Sequence, residues 1–331
     1  MKTSQNIRSF RSALLQWYAA HGRDLPWRRT GDPYAILVSE FMLQQTQVAT
    51  VVPYYTAWLR RFPNFKTLAA ASESAVLHAW QGLGYYTRAR HLHAAAGTIV
   101  EKFGGECPAR EELLQSLPGI GRYTANAIAT FAFDRPVPIV EANIARLVAR
   151  LFNISWPIDS SAGRAELWAR AGRLIPKRRA GVFNSALMDL GALVCLPRAP
   201  QCGLCPVKQF CRATNPLALP VKRTRPKRKK LNEGHTFTIK SGRILLQQCR
   251  QRWRGMWMLP ALSSPKSKKP PLHVSKFPFT HHEVTLRVFA ARPGRVEARA
   301  QRWFPLQRLR AIPIPSPHRR AINALISPPK N

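Results

Sequence analysis

Hydrophobic periodicity divides the chain into two parts. From residue 1 to about 212, apolar residues recur three and four positions apart, as over 7–18 and 113–117, and short breaks at Pro or Gly separate these stretches. This period is typical of amphipathic helices, and we find no alternation of the kind that marks strands. The first part of the chain is therefore predicted to be almost wholly helical.

The pattern changes near Pro216. Residues 222–230 (KRTRPKRKK) carry seven basic side chains and no apolar one, which is typical of a linker or a basic arm. Beyond them, HTFTIK, GRILLQQ and HEVTLRVFA have the short length and β-branched content of strands, and SSPKSKKPP (263–271) is expected to be a loop. The predicted domains are an all-α domain over 1–214, a basic linker over 215–231 and a smaller α/β or β-rich domain over 232–331.

Length and charge narrow the function. The chain has 331 residues, more than one hydrophobic core usually serves, which supports two domains. Lysine and arginine total 52 against 16 aspartate and glutamate, so the net charge of +36 favours a polyanionic partner such as nucleic acid over acidic partners. No apolar run approaches the roughly 18 to 20 residues that cross a bilayer, and the first residues are too polar for a secretory signal. The protein is expected to be soluble and cytoplasmic, with no membrane partner.

Four of the six cysteines fall within one short loop with the spacing C-x6-C-x2-C-x5-C: Cys195, Cys202, Cys205 and Cys211. Such clustering indicates a metal site rather than the disulfides of a secreted protein. A structural zinc usually takes two C-x2-C knuckles, whereas this loop has one, with an outlying cysteine on each side. We therefore favour a structural 4Fe-4S cluster, whose wider cubane suits staggered ligands. Zinc and free buried cysteines are the alternatives.

A second motif is the turn Leu117-Pro118-Gly119-Ile120-Gly121 between two helical stretches. Pro118 is expected to end the first helix, while Gly119 and Gly121 permit positive φ and let another molecule approach the backbone closely. The N–H groups at the start of the second helix then face outward and form an anion site. In a protein this basic, the simplest repeating anion is a nucleic-acid backbone, which the hairpin would bind without reading sequence. An ordinary tight connection between helices is the alternative.

Taken in order, this hairpin, the segment 138–143 (PIVEAN) and the four-cysteine loop resemble the helix-hairpin-helix DNA glycosylases that end in an iron-sulfur loop. Within that superfamily, LPW (25–27), SEFMLQQTQV (39–48) and WQGLGYYTRAR (80–90) are similar to the adenine glycosylases of the MutY type. The resemblance is dense over 10–212 and weak in the C-terminal third. It implies a mainly α fold, with a helix-hairpin-helix glycosylase domain and its iron-sulfur loop, plus a smaller α/β, Nudix-like C-terminal domain.

The same resemblance implies a function. Members of this family remove adenine mispaired with 8-oxoguanine or guanine in double-stranded DNA and leave an abasic site. The protein is then expected to act in base-excision repair as a monomer associated with the nucleoid. The alternatives are a bifunctional glycosylase and lyase of the endonuclease III type, and a DNA-binding homologue whose catalysis has weakened.

Two carboxylates are candidates for the chemistry, because glycosidic cleavage needs an acid for the leaving base and a carboxylate near the sugar cation. Glu40 is predicted to share a polar stripe with Gln44 and Gln47 on an otherwise apolar helix. A solvated helix face is the alternative, and the resemblance makes Glu40 the acid that protonates adenine. Glu141 stands where the family has aspartate, and a misplacement of its longer arm costs about a hundredfold in rate unless the backbone compensates. We expect Glu141, with Asn143 nearby, to stabilise or transiently bond the sugar cation; a helix cap is the alternative.

Whether the enzyme also cuts the DNA backbone depends on an amine nucleophile. A lyase of the endonuclease III type uses a lysine just after the hairpin, and this chain has Tyr123 there. No lysine occurs between Lys102 and Lys177. The chain is therefore predicted to be a monofunctional glycosylase.

The remaining site residues of the first domain are implied by the resemblance. Gln44 and Tyr85 match positions that wedge into the duplex when the base is flipped, with core packing as the alternative for Tyr85. The hairpin is expected to contact the DNA backbone through Leu117, Gly119 and Gly121. The adenine pocket is expected to include Leu25, Trp27, Arg28, Tyr123 and Met188. Ser185 replaces a Glu or Gln of the family, so one hydrogen bond to the base, worth roughly 1 kcal/mol, is expected to be missing.

In the C-terminal third, Phe279-Thr280-His281 matches the Phe-Ser-His with which the family senses oxidised guanine, and threonine keeps the hydroxyl. A hydrogen bond from this hydroxyl to its own backbone is the alternative. His282-Glu283 is nearly the only candidate for the acidic residues of a Nudix hydrolase. The domain is therefore expected to recognise its ligand rather than cleave it.

Overall fold

The computed structural model describes residues 4–224, 228–262, 270–291 and 300–327. The chain divides into two compact units. The first, here called the helical unit, comprises residues 1–69 and 94–224, and the second, the sheet unit, comprises 70–93 and 225–331. The sequence-based domains placed 70–93 with the N-terminal part, whereas the structure groups this segment with the C-terminal part.

The described residues contain twelve α-helices: α1 (Ser4–His21), α2 (Pro33–Leu43), α3 (Val48–Arg61), α4 (Phe65–Ala70), α5 (Glu73–Ala79), α6 (Thr87–Phe103), α7 (Glu111–Gln115), α8 (Arg122–Phe133), α9 (Ala142–Leu151), α10 (Ser161–Leu174), α11 (Ala180–Leu193) and α12 (Ser316–Ile326). None of these helices is both long enough and apolar enough to span a bilayer. The helical character predicted for the first part of the chain is confirmed.

Helix α2 forms the buried centre from which the site is built. Asp32 caps it by accepting hydrogen bonds from two backbone N–H groups of the first turn, and Pro33 takes the first helical position, where no N–H is needed. Every residue from 34 to 42 is buried, so the helix is enclosed on all sides. The carboxyl group of Glu40 is consequently held in the protein interior.

The main core of the helical unit lies among α1, α9 and α11. Phe10, Ile144 and Phe183 are fully buried in it. The rings of Phe10 and Phe183 meet edge to face with their centroids 6.3 Å apart. This packing fixes α9, which follows the second candidate carboxylate, next to α11.

After α11 the described chain forms short 3-10 turns, at Cys202–Leu204, Lys208–Phe210 and Pro216–Ala218. The guanidinium of Arg150 donates hydrogen bonds to the carbonyl oxygens of Pro216 at 2.7 Å and Leu219 at 3.2 Å. Leu219 is also buried. The first half of the predicted linker is therefore packed on the helical unit. Its carbonyl groups accept hydrogen bonds from the buried Arg150, and its apolar side chain Leu219 is buried.

The sheet unit contains seven described strands: β1 (Lys229–Phe237), β2 (Ile239–Lys240), β3 (Arg243–Gln248), β4 (Trp257–Met258), β5 (His273–Phe279), β6 (His282–Ala290) and β7 (Gln301–Pro305). Strand β6 pairs in parallel with β1 and antiparallel with β5. Strand β3 pairs antiparallel with β2, β4 and β7.

The three strands predicted from the sequence are confirmed. HTFTIK forms the end of β1 together with β2, GRILLQQ forms β3, and HEVTLRVFA forms β6. Strand β1 also takes in residues 229–231 of the predicted linker, whereas residues 225–227 lie outside the described residues. The predicted loop lies outside them over 263–269. Helix α12, which contacts β5, was not predicted.

Candidate active site

Glu40 lies in the buried middle of α2, with 5% of its surface exposed. The phenol of Tyr123, at the start of α8, donates a hydrogen bond to its carboxyl group. Burial raises the pKa of Glu40 to about 7, opposed by this hydrogen bond and assisted by the negative charge of Glu141. Glu40 therefore holds a proton close to neutral pH.

Glu141 caps the N-terminus of α9. Its Oε2 accepts a hydrogen bond from the backbone N–H of Asn143 at 2.7 Å, and its Oε1 accepts one from Ile144 at 2.8 Å. Burial raises the pKa of Glu141, although these two bonds and the cations Arg146 and Arg23 act in the opposite direction. The capping role that the sequence offered as an alternative is present. Each carboxylate oxygen keeps a second lone pair, so the cap leaves the group able to interact with a ligand.

The charge of Glu141 acts on both Glu40 and Tyr123. The negative charge of Glu141 raises the pKa of both Glu40 and the Tyr123 phenol, which burial raises well above its usual value. The charge of Glu141 thus couples Glu40 on α2 and Tyr123 on α8 to the start of α9, which makes these three residues the candidate site.

The polar stripe predicted on the Glu40 helix is wrong at Gln47. Helix α2 ends at Leu43, and Gln44 is its C-terminal cap. Gln45 adopts a left-handed φ of 58°, which stops the helix, and Gln47 precedes α3 as its N-cap. Gln44 is thus half-buried at the end of α2, one turn after Glu40, whereas Gln47 belongs to the start of another helix.

Arg146 was missed by the sequence analysis. Its guanidinium donates hydrogen bonds to the Oδ1 of Asn143 at 2.9 Å and to the carbonyl oxygens of Gly191 at 2.6 Å and Cys195 at 2.8 Å. Helix α11 approaches closely here, since a Cβ at Gly191 would lie 2.7 Å from the Cβ of Asn143. The start of α9 is therefore locked against α11. The only signal of this role in the sequence was the position of the arginine, three residues after the predicted site residue Asn143.

Asp189 on α11 is the centre of a second polar cluster that the sequence analysis missed. Its side chain is fully buried, and Arg28 binds its two carboxylate oxygens at 2.7 and 2.8 Å. Arg23 binds Oδ1 at 2.7 Å through its Nε atom. Although burial alone would raise it, the hydrogen bonds from Arg28 and Arg23 lower the pKa of Asp189. Arg28, predicted for the adenine pocket, is thus already engaged by a carboxylate.

The other predicted pocket residues also belong to the helical unit. Leu25 and Trp27 are buried, and the ring of Trp27 meets that of Tyr55 edge to face at a centroid distance of 5.4 Å. Ser185 is buried on α11, and Met188 is partly buried against the main core. These side chains therefore lie inside the helical unit rather than on its surface.

The predicted hairpin joins α7 to α8. Gly119 has a φ of 73°, which uses the conformational freedom of glycine, whereas Gly121 has a φ of −90°, which other residues also adopt. Gly121 is the N-cap of α8, no side-chain hydrogen bond caps this end, and the space where a Cβ would stand is open. Leu117 is buried. The first turn of α8 therefore presents backbone N–H groups suited to an anion.

The four loop cysteines line one cavity of about 300 Å³ beside α9: Cys195, Cys202, Cys205 and Cys211. Within the described ranges, no three His, Cys, Asp or Glu side chains converge closely enough to hold a single metal ion. The Nη1 atom of Arg150 lies 3.3 Å from the Sγ atom of Cys195 and supplies positive charge beside the thiols. Four thiols spread around such a cavity fit a group larger than one ion.

Tyr85 lies in the sheet unit and is 49% exposed, with a left-handed φ of 46°. The guanidinium of Arg88 is 5.6 Å from the centre of its ring. Core packing, the alternative considered for Tyr85, applies instead to the buried Tyr86.

The Phe279-Thr280-His281 segment also lies in the sheet unit, where Thr280 and His281 form the turn between β5 and β6. The hydroxyl of Thr280 donates a hydrogen bond to the carbonyl oxygen of Phe279 at 2.8 Å. The bond to its own backbone that the sequence offered as an alternative is therefore present.

Comparison with known proteins identifies the family of the helical unit. The family model described as HhH-GPD superfamily base excision DNA repair protein matches residues 38–171. An adenine DNA glycosylase of Homo sapiens is 46% identical over 216 residues, which cover 62% of this chain and 40% of that protein. An adenine DNA glycosylase of Mycolicibacterium smegmatis is 46% identical over 200 residues, which cover 60% of this chain and 67% of that protein.

Among solved structures, a thermostable thymine-DNA glycosylase superposes with a TM-score of 0.59 at 30% identity, over 64% of this chain and 97% of that one. A non-covalent endonuclease III–DNA complex superposes with a TM-score of 0.54 at 23% identity, which shows a shared fold. The chain spans about two fifths of the length of the human relative.

Proposed function

This chain belongs to the adenine DNA glycosylases of the MutY type, and from that premise we propose that it removes adenine mispaired with 8-oxoguanine or guanine from double-stranded DNA. The observation that carries the proposal is the shared buried site of Glu40 and Glu141, in which the pKa of Glu40 is raised to about 7. Cleavage of an N-glycosidic bond needs one proton donor and one carboxylate. The net charge of +36 supports a polyanionic substrate.

In this mechanism Glu40 is the general acid. Adenine would otherwise leave as an anion, so a ring nitrogen must gain a proton while the bond to the sugar breaks. A donor is most effective when its pKa lies near the working pH, as that of Glu40 does. The Tyr123 phenol orients the carboxyl group through its hydrogen bond.

Glu141 is the second carboxylate and faces the sugar. Positive charge develops on the sugar ring as the base departs, and an anchored anion stabilises this charge or bonds to it transiently. The two backbone N–H groups of the cap donate hydrogen bonds that fix both oxygens of Glu141. The Oδ1 of Asn143 accepts a hydrogen bond from Arg146, which holds this side chain. Asn143 is proposed to form a further hydrogen bond close to the sugar. The oxygen of a water molecule then bonds to the sugar carbon, the ionised Glu40 takes up the proton that this water releases, and an abasic site remains.

We further propose that the DNA backbone stays intact. Schiff-base chemistry requires an amine next to the sugar. Tyr123 takes the position of the lyase lysine, and its phenol is hydrogen-bonded to Glu40. No lysine occurs between Lys102 and Lys177, so the segment that builds this site supplies no amine nucleophile.

Binding and flipping of the substrate are assigned to exposed and loop positions. The uncapped start of α8, with Gly119 and Gly121, is suited to a DNA phosphate. Gln44 and Tyr85 are proposed as the side chains that fill the gap left by the flipped base. The flipped adenine is proposed to meet a pocket that includes Leu25, Trp27, Ser185 and Met188. The turn of Phe279, Thr280 and His281 is proposed to recognise the base opposite adenine.

The four loop cysteines are proposed to hold a 4Fe-4S cluster in a structural role. When bound, the cluster crosslinks the loop through four iron–sulfur bonds. Arg150 supports the loop independently, through hydrogen bonds to the carbonyl oxygens of Leu196 at 2.7 Å and Pro197 at 3.1 Å. Metal analysis of the purified protein is expected to give about four iron and four acid-labile sulfide per chain. Stoichiometric zinc without sulfide would overturn the assignment.

Release of free adenine from a duplex with one adenine opposite 8-oxoguanine tests the function. Under single-turnover conditions the wild-type protein is expected to release adenine and leave the strand uncut until it is treated with alkali. Glu40→Gln keeps the shape of the side chain but removes the acid, so it is expected to slow release by at least about a hundredfold without weakening binding of the duplex. Release by Glu40→Gln at the wild-type rate contradicts the assignment of the acid.

A further inference from the structure

The sheet unit contains a cluster of charged and aromatic side chains that the proposed function leaves unused. Arg252, in the loop between β3 and β4, forms an ion pair with Glu233 on β1. Its guanidinium lies 4.7 Å from the ring centre of Trp253 and 4.6 Å from that of Phe279. Its Nη1 atom is buried and has no hydrogen-bond partner among the described residues. The cation is therefore directed at its aromatic and acidic neighbours.

Phe279 is the last residue of β5 and leads into the turn of Thr280 and His281. Thr280 adopts a left-handed φ of 48°, which is a costly conformation for a β-branched residue. Hairpin turns favour Gly, Asn or Asp where φ is positive for this reason. Such a turn keeps its shape only where the surrounding contacts hold it. The backbone N–H of Lys229 supplies one such contact, by donating to the carbonyl oxygen of His281 at 2.9 Å.

Arg252 supplies a second contact, and it acts through a side chain. The rings of Trp253 and Phe279 meet edge to face with their centroids 6.1 Å apart, and the guanidinium lies over both. Because the same guanidinium is paired with Glu233, the ring of Phe279 is tied to β1. The start of the turn is held from the side as well as along the backbone.

We propose that Arg252 is a positioning residue for recognition of the base opposite adenine; this inference rests on the proposed function. 8-Oxoguanine differs from guanine by a carbonyl oxygen at C8 and a hydrogen on N7. Discrimination by these two groups requires hydrogen-bond partners in a fixed geometry. Arg252 keeps the turn in one conformation. When Arg252 is lost, the turn relaxes and the protein discriminates less between 8-oxoguanine and guanine.

The test compares the rates of adenine release, at limiting protein concentration, from duplexes with adenine opposite 8-oxoguanine and opposite guanine. Arg252→Met removes the cation, and it is expected to lower the ratio of these rates by about tenfold, as loss of one well-placed hydrogen bond would. The rate opposite guanine is expected to stay unchanged. Arg252→Lys keeps the charge for Glu233 but lacks the planar face. It is expected to unfold at the wild-type temperature and still lose most of the ratio, which a purely structural role would not produce.

Arg250→Met, an exposed position two residues away, is the matched control and is expected to keep the wild-type ratio. Folded Arg252→Met and Arg252→Lys variants that discriminate like the wild type overturn the proposal. If Arg252→Met does not fold, the ratio of the two rates is measured for Arg252→Lys and Glu233→Gln instead. A lowered ratio supports the proposal, and a wild-type ratio overturns it. A wild-type protein that releases adenine equally from both duplexes overturns this inference and leaves the glycosylase proposal standing, whereas one that releases no adenine overturns both.

Discussion

Two opposing effects act on the carboxyl group of Glu40. Burial favours its protonated form, and the hydrogen bond from Tyr123 favours its ionised form. The folded protein holds this proton up to a pKa of about 7, whereas the unfolded chain loses it near the ordinary value of 4.5. The contribution of Glu40 to the free energy of unfolding is therefore fully present below the ordinary pKa. It is lost as the pH rises through 7, and the total loss is roughly 3 kcal/mol. The property that makes Glu40 an acid near neutral pH also costs stability in alkali.

The hydrogen bond from Tyr123 gives a pH prediction. Adenine release by the wild type is expected to fall about tenfold per pH unit above about pH 7, because the acid loses its proton. Tyr123→Phe removes a bond to the ionised form, so the pKa of Glu40 rises and the fall in rate moves to higher pH. Single-turnover rates from about pH 6 to 9 measure this shift, with Tyr54→Phe on α3 as the control. A fall that stays in place, or moves to lower pH, contradicts the role given to Tyr123.

At the scale of single elements, helix α9 connects the candidate site to the cysteine loop. Its first turn holds Glu141 by two backbone bonds, and Arg146 and Arg150, one turn apart, donate to carbonyl oxygens of the loop around Cys195. The position of α9 depends on its close approach to α11 at Gly191. A displacement of α9 would therefore move the carboxylate of Glu141.

Gly191 provides the test of this dependence. A Cβ at this position would lie 2.7 Å from the Cβ and 3.0 Å from the carbonyl oxygen of Asn143, and backbone cannot yield as a flexible side chain does. Gly191→Ala is expected to cost about 1–3 kcal/mol of stability and, by moving Glu141 by about an ångström, roughly a hundredfold in adenine release. Gly97→Ala is the control, because nothing lies within 4 Å of its added Cβ. Equal rates of adenine release by Gly191→Ala and Gly97→Ala would show that the site tolerates a displacement of α9.

The same elements show how far sequence patterns reach. Periodicity and the Pro-Gly turn were sufficient to predict the helices and the hairpin, because both depend on neighbours in the sequence. The stripe after Glu40 failed at Gln47, since a left-handed Gln45 ends α2 for reasons that periodicity does not encode. Asp189 and Arg146 were missed because their partners lie far away in sequence, and only the fold brings them together.

At the scale of the whole molecule, the chain forms two units whose boundaries the composition did not reveal. Residues 70–93 look like the helices around them, yet they group with the sheet unit. Helix α12 of that unit carries His318, which is fully buried and has no hydrogen-bond partner for either ring nitrogen among the described residues. Its ring lies 4.6 Å from that of His235 and 5.4 Å from that of Trp253.

This histidine makes the stability of the sheet unit depend on pH. Burial, with the nearby His235 and Arg252, lowers the pKa of His318 well below its usual value of 6.5. The unfolded chain then takes up a proton that the folded one refuses, so stability is lost as the pH falls below about 6.5, by about 1.4 kcal/mol per unit. His318→Leu is expected to weaken this dependence in urea unfolding followed by tryptophan fluorescence, whereas His91→Leu at an exposed site is not. An unchanged slope in His318→Leu counts against the assignment.

The shared role of Glu40 and Glu141 is tested most directly by the rate constant of adenine release for Glu141→Gln. The variant keeps the length of the side chain and one acceptor oxygen but removes the negative charge that faces the sugar cation. Under single-turnover conditions opposite 8-oxoguanine, release is expected to slow by at least about a hundredfold, with duplex binding and folding retained. Release at the wild-type rate would contradict a mechanism in which the two carboxylates act on one nucleotide.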